Sequence, residues 1–212
     1  DPSAATLVAP TGTIWQGSSQ LVSPLGMRAE IQWETTFLRP GADFVLSHEN
    51  SLIKGRFEPS IRNHGITVAG QLDTATLVPL LARYDLFVPG IFDLEATDLT
   101  LSPEGLSMTS PSELQWSGGQ TRYILAGRRY EALMPPLVAS IAGRDDGVLE
   151  ANIKFAAEET TSLLVLRLKP SGNIYLGVTR GMLRLANYPW SGNEVDSDLI
   201  FEVERKLTQT AL

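Results

Sequence analysis

The sequence predicts a mainly β fold, an antiparallel meander forming an open, folded-over sheet or a partly closed barrel. Three features carry that expectation. Apolar and polar residues trade places with period two in several runs, glycine-bearing turns separate those runs at short intervals, and no long amphipathic helices appear that parallel pairing would need as crossovers. About ten or more strands and one to three short helices follow from that spacing.

Along the chain, Ala29, Ile31, Trp33 and Phe37 share one face, with Arg28, Glu30, Gln32, Glu34 and Thr36 on the other, the pattern of a half-buried antiparallel strand. Ile66, Val68 and Leu72 alternate with Thr67, Gln71 and Asp73 in the same way. Next comes an amphipathic helix over 74–84, with Leu77, Leu80, Leu81 and Tyr84 at helical spacing after a capping Asp73-Thr74. Pro79 falls inside it, so the helix starts nearer Val78 or kinks. Phe92, Leu94 and Ala96 alternate until the pattern slips to Leu99 and Leu101, which predicts a β-bulge near Thr97-Asp98.

Residues 130–137, with Pro135-Pro136, are expected to form at most a turn or two of helix. Leu149, Ala151, Ile153 and Phe155 alternate with Glu150, Asn152 and Lys154, and Phe201 and Val203 with Glu202 and Glu204. Between them, Leu163-Leu164-Val165-Leu166 marks either a strand buried on both faces or one whose second face lines a groove. A weaker helix is expected over 179–187, with Met182, Leu185 and Ala186 on one side. Turns are expected at Pro40-Gly41, Asn63-His64-Gly65, Pro103-Glu104-Gly105, Asp145-Asp146-Gly147 and Pro170-Ser171-Gly172-Asn173, each with a glycine for positive φ.

Composition narrows the function. The 212 residues are 43% hydrophobic and 19% charged, and the formal net charge is −7. A chain of that length can bury roughly 70% of its unfolded surface without staples. The acidic balance argues against nucleic acid, whose phosphates need clustered Lys and Arg. With no cysteine there is no disulfide, thiolate zinc site or cysteine nucleophile. No apolar run approaches the roughly 18 residues of a membrane-spanning helix.

Catalytic chemistry finds little support. His48 and His64 are the only imidazoles, and neither has a second histidine at ligand spacing. Asp145-Asp146 and Glu158-Glu159 read as solvated turns, because calcium loops alternate their oxygen ligands and end in Glu. Phosphate-binding glycine motifs and nucleophile elbows are absent. The expectation is a protein with no catalytic residues, no metal and no cofactor.

Trp-x-Gly occurs three times, at Trp15-Gln16-Gly17, Trp116-Ser117-Gly118 and Trp190-Ser191-Gly192. An aromatic that packs inward before a flexible glycine suits a strand end, so Trp15, Gly17, Trp33, Trp116, Gly118 and Trp190 are the candidate structural or contact residues. Glycan binding through tryptophans would require Trp15, Trp116 or Trp190 on a shared surface. The recurrence, with Leu77-Val78-Pro79-Leu80-Leu81 and Leu133-Met134-Pro135-Pro136-Leu137 as matching segments, suggests two similar β halves, 11–89 and 90–207.

Three stretches together resemble the type II secretion system protein N family: Gly12-Thr13-Ile14-Trp15-Gln16-Gly17-Ser18-Ser19, Ile31-Gln32-Trp33 running to Phe37-Leu38, and Pro111-Ser112-Glu113-Leu114-Gln115-Trp116-Ser117-Gly118-Gly119. The leucine-proline segment ending near Tyr84 and Val88-Pro89-Gly90-Ile91-Phe92-Asp93-Leu94 resemble the family's middle region, so the likeness covers approximately Thr11 to Leu207. The resemblance implies a non-enzymatic structural component of the machine that exports folded proteins from Gram-negative bacteria. It also implies a periplasmic body on the inner membrane, anchored by an N-terminal helix that this sequence lacks. On that reading 1–10 is a flexible segment after the missing helix, 11–207 one periplasmic β domain and 208–212 a tail. Its partners would be other inner-membrane or periplasmic secretion subunits. The alternative is a periplasmic lipid-handling β module holding acyl chains in an apolar groove, which the 163–168 run and an open sheet suggest.

Overall fold

A computed structural model describes residues 5–23, 27–36, 40–103, 105–157 and 161–206. The fold is mainly β and antiparallel, as the alternation predicts. Its strands are β1 (Thr6–Gly12), β2 (Gln16–Val22), β3 (Arg28–Thr35), β4 (Ala42–His48), β5 (Ser51–Glu58), β6 (His64–Asp73), β7 (Leu86–Phe87), β8 (Ile91–Ser102) and β9 (Gly105–Met108). They continue with β10 (Ser112–Trp116), β11 (Gly119–Leu125), β12 (Arg128–Met134), β13 (Leu137–Gly143), β14 (Leu149–Phe155), β15 (Ser162–Leu168), β16 (Asn173–Thr179) and β17 (Leu199–Lys206).

Fourteen of them form one sheet, ordered β1-β2-β3-β4-β5-β6-β8-β10-β13-β14-β15-β16-β17, with β9 beside β8; β12-β11-β7 form a second, small sheet. The main sheet ends at β1 and β17 and does not close into a barrel. The proposed boundary at 89/90 falls just before β8, which pairs with β6 from His64↔Leu101 to Asp73↔Ile91, so both segments share one sheet.

Register places the apolar residues of successive strands side by side. Trp33 lies opposite Phe44, Ile31 opposite Leu46, Leu46 opposite Ile53, and Phe57 opposite Ile66. The row continues through Leu94↔Leu114, Trp116↔Leu137, Leu137↔Phe155, Ile153↔Leu164 and Leu164↔Val178. One face of the whole sheet is therefore apolar, and the other carries Glu30, Lys54, Arg56, Glu150 and Arg167.

The bulge expected near Thr97-Asp98 lies two residues earlier. Val68 pairs with Thr97 and Gly70 with Leu94, so Glu95 and Ala96 together oppose Ala69. The extra residue moves the inward positions from Phe92 and Leu94 to Thr97 and Leu99. A second register shift falls between Ile153↔Leu164 and Lys154↔Ser162, at Leu163, which has no solvent exposure. The run 163–166 is thus not buried on both faces, since Leu166 is 38% exposed.

The long connections 74–90, 117–136 and 180–198 all leave from one margin of the sheet, where Asp73, Trp116 and Thr179 end their strands. The other margin has tight turns such as 144–148 and 169–172, closed by Gly147 and Gly172 donating to Arg144 and Lys169. Gly41, Gly105, Gly147 and Gly172 take positive φ as expected. Gly65 does not; it pairs with Thr100 inside β6, where extended backbone suffices. Glu104, Phe37 and Glu158-Glu159 lie outside the described residues.

Helices follow the sequence reading closely. Residues 74–84 hold a 3₁₀ turn capped by the Asp73 carboxylate, which accepts from the Ala75 N–H, then α1 (Val78–Leu81) with Pro79 in its first turn, then a second 3₁₀ turn. The later helix, α2 (Arg180–Leu185), is capped by the Thr179 hydroxyl. Residues 130–137 differ from expectation. Tyr130 to Met134 are strand, paired from Met134↔Gly119 to Arg128↔Leu125 around a two-residue turn in which Ala126 and Gly127 both have positive φ. Pro135-Pro136 end that strand instead of a helix.

The small sheet and α2 fold back over the apolar face at the long-connection margin. There Ala132, Met134 and Ala186 pack with Trp116, Leu137 and Leu163, and Val88, Phe92, Tyr123, Phe155 and Met182 pack around them. This is the core, and it is small: among the described residues only ten apolar side chains are buried. The chain exposes 13588 Å², whereas a compact monomer of its mass would expose about 9,700 Å².

Candidate functional site

Away from that cap the apolar face is unsealed. No side chain of β3, β4 or β6 is buried, although Ile31, Trp33, Phe44, Leu46, Ile66 and Val68 all point to the apolar side. In a two-layer domain these positions would lose almost all contact with water. Here they form a floor across β2 to β8, six neighbouring strands spanning about 24 Å at ~4.8 Å each.

Glycines make the floor flat. A Cβ on Gly17 would sit 2.5 Å from Trp33 Cζ2, and one on Gly55 would sit 2.3 Å from Phe44 Cζ. Each ring therefore lies over the bare backbone of the strand beside it, Gly17 pairing with Trp33 and Gly55 with Phe44. Laid flat, an aromatic ring shields the glycine backbone and presents its own face outward.

The opposite face is held by charge. Arg56 bridges Asp43 at 2.9 Å and Glu58 at 3.0 Å. Glu150 lies 2.6 Å from the Arg167 guanidinium and 2.5 Å from that of Arg144. Burial pushes the Glu150 carboxyl up, but hydrogen bonds from Arg167, Arg144 and Asn152 outweigh it and hold the carboxyl at about 2.

The six residues singled out from sequence fall in three places. Trp15, Gly17 and Trp33 meet at the tight-turn margin, where the Trp33 indole donates to the Thr13 carbonyl at 3.1 Å and Thr35 N–H to the Trp15 carbonyl at 2.7 Å. Trp116 and Gly118 belong to the cap: the Trp116 indole donates to the Pro89 carbonyl at 2.8 Å, and Gly118 holds φ +79° against Met134 and Pro135. Trp190 sits beside β17, edge-on to Phe201 at 5.7 Å, its indole donating to Glu194 at 2.8 Å. Trp116 is 7% exposed, Trp15 48% and Trp190 39%. Trp15 and Trp190 lie at opposite edges and opposite margins of the sheet, so the tryptophans share no surface for a glycan.

His48 ends β4 before the Glu49-Asn50 turn. The His64 ring packs 5.5 Å from Phe57 and its Nδ1 accepts from Ser60 N–H at 3.3 Å. Asp146 accepts from Val148 N–H within its turn. Among the described residues no three His, Asp or Glu side chains converge as a metal site would require.

Sequence reasoning missed Phe44, Leu46, Ile53 and Gly55, the middle of the floor. The signal was present but masked, since Val45 and Leu52 put apolar residues on the polar face and blur the alternation. No family model, curated protein or solved structure matches this chain.

Proposed function

We propose that this chain is a non-enzymatic structural component of a bacterial type II secretion apparatus. It works on the periplasmic side of the inner membrane and uses the unsealed apolar floor to hold a segment of another secretion subunit. The observation that supports it is that the floor is incomplete alone: an apolar sheet face facing water is stabilised by whatever covers it. The family resemblance supplies the identity of the cover.

The face is a better dock than the β1 edge. β1 has a register shift between Val8 and Thr11, Ala9 at positive φ, and Pro10, which has no N–H to donate, so it templates another strand poorly. A photo-cross-linking side chain placed at Leu46 or Ile53 in native cells should capture inner-membrane or periplasmic secretion subunits. Recovery of none of them would overturn the proposal.

A second reading has the floor receive an acyl chain. The row from Ile31 through Leu46, Ile53 and Gly70 to Leu94 crosses four strand spacings, about 19 Å, more than the ~15 Å that one leaflet's chains occupy in a bilayer. Native mass spectrometry should then find lipid carried through purification. A ligand-free protein that also fails to take up a fluorescent fatty acid would remove this reading.

A further inference from the structure

The structure assigns a second surface, on the outside of the cap, that fits an anionic phospholipid membrane; we propose that the β7-β11-β12 sheet rests there on lipid headgroups. The inference does not rest on the secretion role. Since Ala132, Met134 and Tyr123 face the core, the alternate residues of the same strands face solvent. On that outer side Leu133 is 78% exposed, Ile124 40% and Phe87 38%.

Two of these apolar residues have an arginine as cross-strand partner, Phe87↔Arg122 and Ile124↔Arg129, while Leu125↔Arg128 close the hairpin tip on the other side of the ribbon. The Arg122 guanidinium lies 4.4 Å above the Phe87 ring. A cleft of about 320 Å³ between α1 and β11 brings Val78, Leu81, Phe87, Arg122, Ile124 and Arg129 together.

Charge selects the partner. Residues 74–90 and 117–136 carry four arginines, Arg83, Arg122, Arg128 and Arg129, against two carboxylates, Asp85 and Glu131, a net of +2 in a chain of net −7. None of the four forms an ion pair among the described residues, whereas Arg56, Arg144, Arg167, Lys169 and Arg184 do. Guanidinium groups interleaved with exposed aliphatic and aromatic side chains match the boundary between phosphate headgroups and acyl chains. An acidic protein surface would use the charges but leave Leu133 and Ile124 without an apolar counterpart.

Flotation with vesicles tests this. Binding is expected to mixed phosphatidylglycerol and phosphatidylcholine vesicles, to weaken as salt rises, and to be absent with phosphatidylcholine alone. Replacing Arg122 and Arg129 by Gln together should weaken binding on the order of 25-fold, about fivefold for each charge. The triple change Arg28→Gln, Lys54→Gln and Lys154→Gln, on the polar face of the main sheet, should leave it within about twofold. Ile124→Ser with Leu133→Ser, both exposed, should weaken binding while the circular dichroism of the protein stays unchanged. The proposal is overturned by no binding to anionic vesicles, by binding that survives the arginine changes, or by capture of an acidic protein in place of vesicles.

Discussion

Trp33 and Trp116 look alike in the sequence, each at the apolar side of a strand, yet they carry different loads. Trp116 is almost wholly buried, stacks on Phe92 at 6.2 Å and donates to Pro89, so Trp116→Ala should cost about 3–5 kcal/mol in urea unfolding. Trp33 is only half-buried over Gly17, and Trp33→Ala should cost roughly half as much. Equal losses would mean that the floor is sealed. Glu150 gives a pH signature. Its carboxyl titrates near 2 in the fold and near 4.5 when free, so its contribution is complete above about pH 4.5 and fades as pH falls towards 2. Glu150→Gln should therefore lose on the order of 2–3 kcal/mol at neutral pH and nothing near pH 2, measured by urea unfolding across that range. A pH-independent difference would show that the two arginines do not hold the charge.

At the scale of elements, the bulge in β8 keeps the apolar face continuous. Deleting Ala96 would leave Glu95 alone opposite Ala69 and restore strict alternation, with Thr97, Leu99 and Leu101 still on the apolar side. That variant should fold with a cooperative melt, and a failure to fold would show that the bulge itself, and not only the phase it sets, is required. This bulge was legible because Leu94 and Leu99 are out of phase. The two short helices were legible too, through Asp73 before Thr74 and the spacing of Met182, Leu185 and Ala186. The β11–β12 hairpin was not: prolines after Leu133-Met134 resemble a broken helix, and Ala126-Gly127 is a weaker turn signal than Asn-Gly. Nor was the bare floor legible, because alternation tells which face is apolar but not whether a second layer covers it.

Over the whole molecule, stability should be graded rather than uniform. Apolar burial concentrates where β10, β13, β14 and β15 meet the cap, while every residue of β1 is exposed and β3, β4 and β6 bury none. Hydrogen exchange should accordingly be slowest in β10 and β13–β15 and fastest in β1 and β2. A flat profile would indicate one cooperative unit with a core extending under the floor. The strand order has a kinetic side as well. From β1 to β6, and again from β13 to β17, every strand hydrogen-bonds to the one that follows it in the chain. Ring closures between partners are consequently brief, so the entropic toll of searching for distant mates is slight and refolding should be quick for an all-β chain of this length.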